Sequence, residues 1–304
     1  MIHVVIVAFR SDGVIRQCLN PLLADQGVAR IVVVDNSSDA ATAETCRDLC
    51  AGPRLVYVAN QNVGYAQACN LGARLMPPDA EFLAIVNPDV TLDRKLSELA
   101  EHARKSTGSV YSAVLKQRSG AVNARPLADA RHELCSAVVG SRAYAMYRTA
   151  PKGIFERVPQ IDGSLMLIPI PEYRALGGFD ERFELYFEDV DLCRRANRRN
   201  GCHLFLQEWG LHVGGASFAV AGASPFVTLR VSRVRYLLKW YGKKGALLAL
   251  LVACLECLTR GLTGAAPSRR TLARALWAQA LEIAQPGRRH YLTQVAPPSR
   301  ARSS

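Results

Sequence analysis

The chain has 304 residues, 49% hydrophobic, 21% charged and 7% aromatic, which excludes a largely disordered or fibrous chain and leaves room for one large domain or two modest ones without a disulfide or zinc staple. Its 38 Lys and Arg against 26 Asp and Glu give a formal net charge of +12, yet residues 1–222 hold 24 basic and 24 acidic side chains while residues 223–304 hold 14 and 2. A neutral body with a basic tail excludes a uniformly basic protein and points the tail toward a phosphate-rich surface, lipid or nucleic acid.

In chain order, the run from Ile2 to Phe9 is short, β-branched and nearly continuous, as a strand buried on both faces of a parallel sheet requires. Ser11 and Asp12 offer an N-cap for a helix through Leu23. Arg30 to Val34 reads as a second strand ending at Asp35-Asn36-Ser37-Ser38, and Ala40 to Cys50 as a second helix. Leu55 to Ala59 is a third strand, Ala66 to Leu75 a third helix, and Phe82 to Val86 a fourth strand that runs into Asn87-Pro88-Asp89. Alternation at this pitch means βαβ units and a parallel sheet. From Gly108 to Val158 the periodicity is poor, and the segment reads as a less ordered cover for a site. The acidic, aromatic stretch Gly177 to Asp191 then precedes a basic helix, Leu192 to Asn200, followed by strand-like His203 to Leu206 and the segment Leu211 to Ser217. Composition changes near Ala221, so the expected domains are residues 1–222 and 223–304.

The nine cysteines are scattered and odd in number, which suits free thiols in a reducing compartment. Cys254 and Cys257 form a C-x-x-C with no second pair, and burial on one helix face is expected of them. The chain opens directly into strand sequence with no leader-like segment, so a cytoplasmic protein is expected.

Ligands of open α/β sheets sit at the carboxyl ends of the strands, and here those ends are polar. No G-x-G-x-x-G follows the first strand and no P-loop occurs, so the sheet binds something other than an ordinary dinucleotide. Asp35 with its serines reads as a turn or as a ligand contact. The segment Asn62 to Gly72 places Gly64 at a strand-to-helix junction, where N–H groups can face an anion or where close packing is needed. Asn87-Pro88-Asp89 is a common turn that also presents a hard oxygen ligand suited to Mg²⁺ or Mn²⁺. Glu188, Asp189 and Asp191 put three carboxylates into four residues, an arrangement that costs stability unless a cation, a helix N-terminus or a function compensates.

The order VVVDNSS, NVGYAQACNLG, NPDV, GGFDERFELYFEDVDLCRR, HVGGAS closely resembles that of the family 2 glycosyltransferases, inverting sugar transferases of the GT-A fold, and in particular their rhamnosyltransferase-like branch, from Val4 to about Ser217. The resemblance implies an α/β fold with a mainly parallel sheet flanked by helices, to which this chain adds a basic C-terminal helical extension. It implies that Asp35 contacts the nucleotide base or ribose, with Phe9 on the opposite wall, and that Gly64 and Asn70 shape the nucleotide-sugar site. Asp89 stands where the family's metal-binding D-x-D ends, with Asn87 in place of the first Asp, and His212 resembles a further metal ligand. Asp189 matches the catalytic base, with Glu188 beside it. An inverting transfer needs one carboxylate to take the acceptor proton while a cation and N–H donors stabilise the leaving diphosphate. The expected donor is a nucleoside diphosphate sugar, dTDP-L-rhamnose first, and the acceptor a saccharide or lipid-linked saccharide of the cell envelope. A galactosyl- or N-acetylglucosaminyl-type donor, or a non-catalytic nucleotide-sugar-binding protein, are the alternatives.

In the tail, Arg230, Arg233, Arg235, Lys239, Lys243 and Lys244 interleave with Tyr236, Trp240 and Tyr241 before an apolar run from Ala246 to Leu258. Thirteen residues are too few to span a bilayer, which needs about 20. A helix lying in an anionic membrane surface is expected, peripheral to the inner face of the cytoplasmic membrane, with a helix from Leu272 to Ala284 after it. A helical extension packed on the catalytic domain is the other reading, and no nucleic-acid motif accompanies the charge.

Overall fold

The computed structural model describes residues 1–50, 52–77, 79–117, 123–129, 155–214 and 225–262. The chain divides into two compact units, one formed by Met1–Ala128 and Ser141–Ala219, the other by Asp129–Gly140 and Val220–Ser304.

The first unit alternates β1 (Ile2–Ala8), α1 (Asp12–Ala24), β2 (Val28–Asp35), α2 (Ala40–Leu49), β3 (Leu55–Ala59), α3 (Tyr65–Arg74) and β4 (Phe82–Val86). It continues through β5 (Val90–Leu92), α4 (Leu96–Arg104), β6 (Val110–Gln117), β7 (Ala124–Arg125), β8 (Phe155–Val158), β9 (Gln160–Ile161), β10 (Leu165–Pro169), α5 (Ile170–Leu176), α6 (Glu188–Ala196) and β11 (Cys202–His212). The main sheet runs β3-β2-β1-β4-β10-β6-β11-β5, with β8 beside β11; β7 and β9 form a separate pair. The ladders β3-β2-β1-β4 and β6-β11 are parallel, whereas β10 and β5 run antiparallel to their neighbours.

Alternate residues of β1 explain the layering. Val4, Ile6 and Ala8 pack with Ile15, Leu19 and Leu22 of α1 and with Leu96 and Leu99 of α4. Val5 and Val7 face the other way, toward Ala66, Cys69 and Ala73 of α3 and Leu192 and Cys193 of α6. Strands covered on both faces need apolar residues at every position, which is why β1 and β4 read as unbroken runs. On the α3 side the approach is close: a Cβ on Gly72 would sit 2.5 Å from Val5 Cγ1.

Three local expectations are corrected. Ser11 Oγ accepts from the Phe9 N–H at 3.0 Å and does not cap α1. The stretch after Gly108 contains β6, a buried central strand; its pattern is obscured by Ser112, which is buried because Asn123 Nδ2 donates to its Oγ at 3.2 Å. The strand-like pieces around His203 and Leu211 are one strand, β11, whose register shifts between Phe205 and Gly210.

In the second unit, α7 (Pro225–Leu262) consists of two helical segments joined at Gly242, whose backbone is non-helical at φ 65°, ψ −162°. Cys254 is exposed, against the expected burial; the side chain of Cys257, Gly215–Ser217, the boundary near Ala221 and the segment Leu272 to Ala284 lie outside the described residues. Among the described residues no helix is long and apolar enough to cross a membrane.

Candidate active site

The carboxyl ends of β1, β2 and β4 lie side by side, since Ala8 pairs with Asp35 and Ile6 with Val86. The antiparallel β10 begins at the same edge, Leu165 opposite Val86. Chain order reverses about β1, with β2 on one side and β4 on the other, and such switch points are where open α/β sheets hold ligands.

At the end of β2, Asp35 is fully buried. Its Oδ1 accepts from Ser37 N (2.9 Å) and Ser37 Oγ (2.6 Å), and its Oδ2 from Asp39 N and Tyr57 OH, both at 2.8 Å. Four donors fill the lone pairs of one carboxylate, so Asp35 braces its own loop and is left no acceptor for a base or ribose. Asn36 continues the bracing, donating from Nδ2 to the Gly64 carbonyl at 3.2 Å. Phe9 directly follows the neighbouring strand β1 and is half-buried, with the Arg10 guanidinium 5.8 Å from its ring centre.

Gly64 caps α3 at φ 95°, and a Cβ there would lie 2.7 Å from the Glu184 carbonyl oxygen. That same oxygen accepts from the Tyr65 N–H at 2.5 Å. Asn70, midway along α3, donates from Nδ2 to the Phe179 carbonyl (2.9 Å) and Glu181 Oε1 (3.0 Å) and accepts at Oδ1 from Tyr173 OH (2.7 Å) and Phe179 N (2.9 Å). All four of its hydrogen-bonding positions are engaged. Asn70 therefore shapes the site by clamping the 177–181 segment to α3, with no group left to bind a nucleotide directly.

Asn87 Oδ1 accepts from Tyr65 OH at 2.8 Å, and its N–H donates to the Ser164 carbonyl at 3.0 Å. Two residues on, Asp89 is buried, and its Oδ1 lies 3.3 Å from His212 Nε2. The contact follows from topology: β5 pairs with the end of β11, His212 opposite Val90. Burial opposes a charge on His212, but the Asp89 carboxylate, with Asp162 behind it, holds its pKa above the usual histidine value. Its Nδ1 is buried without a partner. A carboxylate oxygen and an imidazole nitrogen on one small divalent cation, each at about 2.1 Å and roughly at right angles, lie about 3 Å apart. The Asp89–His212 pair fits that requirement. Among the described residues no group of three or more His, Cys, Asp or Glu surrounds a single point, so remaining ligands would come from elsewhere.

Helix α6 begins at Glu188, four residues before the expected start, and its first turn contains all three carboxylates. The positive end of the helix dipole makes that placement tolerable, and Arg194 and Arg195 complement the other end. The three then diverge. Asp191 is fully buried and bound to Arg195 Nε at 2.8 Å, and Arg195 Nη1 donates on to the Gly178 carbonyl at 2.8 Å. Glu188 is buried against Tyr65 and Cys69, with its Oε2 unpartnered; burial, with Asp189 adjacent, raises its pKa well above the carboxylate range. Asp189 accepts from Gly163 N at Oδ2 (3.0 Å) and from Val190 N at Oδ1 (2.8 Å). Burial, then the charge of Asp162, push its pKa up to about 6 against these hydrogen bonds and Arg125.

Strain marks the entry to α6. Tyr186 and Phe187 are consecutive non-glycine residues at φ 68° and 67°, a conformation costing roughly 1–3 kcal/mol per residue and found where surrounding contacts enforce it.

Sequence reasoning missed Tyr65, Arg125, Asp162 and Gly163. Asp162 Oδ1 accepts from Ser164 N at 3.2 Å and from Ser164 Oγ, and its Oδ2 accepts from Gln117 Nε2 at 3.2 Å, which fixes the turn before β10. The Asp-Gly pair ahead of an apolar run was a usable turn signal. Arg125 on the two-residue β7 gave none.

Residues 3–166, over half the chain, match the family described as glycosyl transferase family 2. The chain is 26% identical over 204 residues to the low-salt glycan biosynthesis hexosyltransferase of Haloferax volcanii, covering 66% of this chain and 62% of that protein. It is 23% identical over 206 residues to the rhamnosyltransferase WbbL of Escherichia coli K12 (64% of this chain, 76% of that one). It is 27% identical over 203 residues to the N-acetylglucosaminyl-diphospho-decaprenol L-rhamnosyltransferase of Mycobacterium tuberculosis (58% and 63%). The chain thus spans less than two thirds of the haloarchaeal and mycobacterial proteins. Among solved structures, it is similar in fold to the mannosyltransferase PcManGT from Pyrobaculum calidifontis in complex with GDP-Man and Mn²⁺, with a TM-score of 0.53 at 15% identity over 94% of this chain and 88% of that one. It is similar also to S. aureus TarS in complex with UDP-GlcNAc, with a TM-score of 0.56 at 13% identity over 93% and 81%. The mostly parallel, helix-flanked sheet is thus a GT-A-like fold, and the chain belongs to glycosyl transferase family 2.

Proposed function

We propose that this chain is an inverting, metal-dependent hexosyltransferase that moves a sugar, L-rhamnose from dTDP-L-rhamnose before others, to a saccharide or lipid-linked saccharide hydroxyl in cell-envelope polysaccharide synthesis. The observation that carries the reaction is Asp189. Of the three clustered carboxylates it alone combines partial exposure, two backbone N–H donors that fix its orientation and a pKa pushed up to about 6. Each oxygen keeps a lone pair for an acceptor hydroxyl. Asp189 takes the hydroxyl proton as that oxygen bonds to the anomeric carbon and the carbon–oxygen bond to the diphosphate breaks, releasing the nucleoside diphosphate. General-base assistance of this kind contributes about 10²–10⁴-fold. Glu188 is buried beside the base, and burial and the Asp189 charge raise its pKa, which disfavours a second charge next to Asp189.

Asp89 and His212 would hold Mg²⁺ or Mn²⁺, with donor diphosphate oxygens as further ligands. When bound, the cation supplies countercharge to the departing diphosphate. Phe9, Gly64 and Asn87 line the donor side, while Asp35 and Asn70 act through the segments they brace. The sugar rests on the two relatives named as rhamnosyltransferases.

A thermal-shift panel of dTDP-rhamnose, UDP-GlcNAc and GDP-mannose, each with and without Mn²⁺ or Mg²⁺, tests the reading, because only a ligand of the native state raises the melting temperature. A metal-dependent shift with dTDP-rhamnose is expected. A shift with another donor alone changes the sugar, and no shift with any donor rejects the transferase reading.

A further inference from the structure

Beyond Gly242, the second segment of α7 turns Ala246, Ala249, Val252 and Ala253 inward. It leaves Leu247, Leu251 and Leu255 exposed by 59%, 62% and 45%. A spacing of four aligns them along one helix face, and Lys243 starts the same row one turn earlier, with Lys244 beside it, both exposed. The acidic residue of this helix is engaged elsewhere. Glu256, the one acidic residue of α7, is partly buried and pairs with Arg230 at 2.5 Å and Arg233 at 3.5 Å. The two arginines are themselves buried, so part of the tail's charge is internal structure, whereas Lys243 and Lys244 are exposed beside the leucines. Trp240 and Tyr241 immediately precede the kink at Gly242, with Lys239 Nζ 5.3 Å from the Trp240 ring centre.

A row of exposed leucines is costly in water and marks a contact surface. Two features select the occupant. The 14 basic and 2 acidic residues of 223–304 repel a second copy of the same surface and favour an anionic one. The apolar run from Ala246 to Leu258 is about 20 Å long as a helix, short of the roughly 30 Å hydrocarbon core, so it can lie in a bilayer surface but not cross it.

We infer that the Lys243–Leu255 face of α7 is an interfacial anchor, with its leucines at the acyl boundary of an anionic bilayer and Lys243 and Lys244 among the headgroup phosphates. This goes beyond the transfer reaction and does not depend on it.

The full chain is sedimented with phosphatidylcholine vesicles with and without phosphatidylglycerol, at low and high salt. Binding only to the anionic vesicles, reversed by salt, is expected. Lys243→Glu with Lys244→Glu should weaken it by roughly fivefold or more per lysine. Leu247→Ser with Leu251→Ser should weaken it by roughly tenfold or more while the circular-dichroism melting curve stays in place, since both leucines are exposed. Equal binding by the leucine variant overturns the anchor, as does failure of the native chain to bind at low salt. A native dimer that the leucine variant converts to monomer, with no change on lipid, reassigns the face to self-association. Competition by inorganic phosphate or duplex DNA as effective as that of phosphatidylglycerol vesicles overturns the lipid assignment.

Discussion

Gly163 donates its backbone N–H to Asp189 Oδ2 at 3.0 Å, so one hydrogen bond ties the turn before β10 to the first turn of α6. The Gly163 carbonyl lies 3.3 Å from Tyr65 OH, which donates to Asn87 Oδ1 at 2.8 Å. The proposed base and the turn carrying Asp89 are thereby joined through a single residue, Gly163, and one phenol. Orientation of a general base to within a fraction of an ångström is what such a frame provides.

Replacing the carboxylate alone tests its role. Asp189→Asn keeps an acceptor for the Gly163 N–H but cannot take a proton. We expect kcat to fall about 10²–10⁴-fold with donor binding, followed by calorimetry, changed less than threefold or so. Normal turnover in this variant would remove Asp189 from the mechanism.

The pH dependence has a definite sign. Burial and Asp162 raise the Asp189 pKa to about 6, and only the ionised form accepts the proton. The rate should therefore fall about tenfold per pH unit well below pH 6. Glu188, Tyr65, Arg125, Asp162 and Cys193 are the titratable or charged groups around it. Asp162→Asn removes a repelling charge and should move the acid limb to lower pH; Arg125→Ala should move it to higher pH. The same raised pKa makes ionised Asp189 destabilising to the fold, absent below the unfolded value near 4 and fully present above 6. The melting temperature of Asp189→Asn relative to the native chain should accordingly improve between pH 4 and pH 7. An acid limb that does not move in either neighbour variant would show that another group controls the rate.

What could be read from sequence follows its physical origin. β1 and β4 were legible because burial on both faces leaves unbroken apolar runs, and the polar strand ends Asp35, Asn87 and Asp89 stood out against them. β6 was not, because Ser112 is buried on a hydrogen bond from Asn123 that no periodicity reveals. The pairing of His212 with Asp89 came through resemblance, whereas its cause is the antiparallel placement of β5 on β11, a long-range contact. Side-chain valence was hidden as well. Asp35 and Asn70 look like ligand contacts in sequence, but only coordinates show that their lone pairs and donors are already engaged.

Gly64 tests how the donor side is held. Its φ of 95° and a Cβ position 2.7 Å from the Glu184 carbonyl oxygen leave no room for a side chain. Gly64→Ala should destabilise by about 1–3 kcal/mol, read as a lower urea midpoint with unchanged slope, and should weaken donor binding. Native stability in this variant would mean that α3 does not need the close contact with residue 184.

Tyr65 should act as a positioning residue. Tyr65→Phe removes one hydroxyl from part of the frame and leaves every carboxylate in place. We expect kcat to fall roughly tenfold with a smaller change in donor KM and no displacement of the acid limb of the rate profile. A loss confined to stability, with kcat unchanged, would make the hydroxyl structural only.

Asn87 sets how strongly a cation is held before the donor arrives. Where the family pattern places a carboxylate, this chain has an amide whose Oδ1 already accepts from Tyr65 OH; it adds no charge beside Asp89 and His212. Free-enzyme affinity for Mn²⁺ should therefore be weak and should rise sharply with nucleoside diphosphate present, whose oxygens bring the missing charge. Asn87→Asp supplies a carboxylate that can still accept from Tyr65, so Mn²⁺ affinity without nucleotide should increase about tenfold or more. Asp89→Asn and His212→Ala should each abolish the metal-dependent part of the thermal shift. Titration of Mn²⁺ by its own paramagnetic signal checks all three without relying on turnover. Unchanged affinity in every variant would place the cation away from the β4–β5 turn.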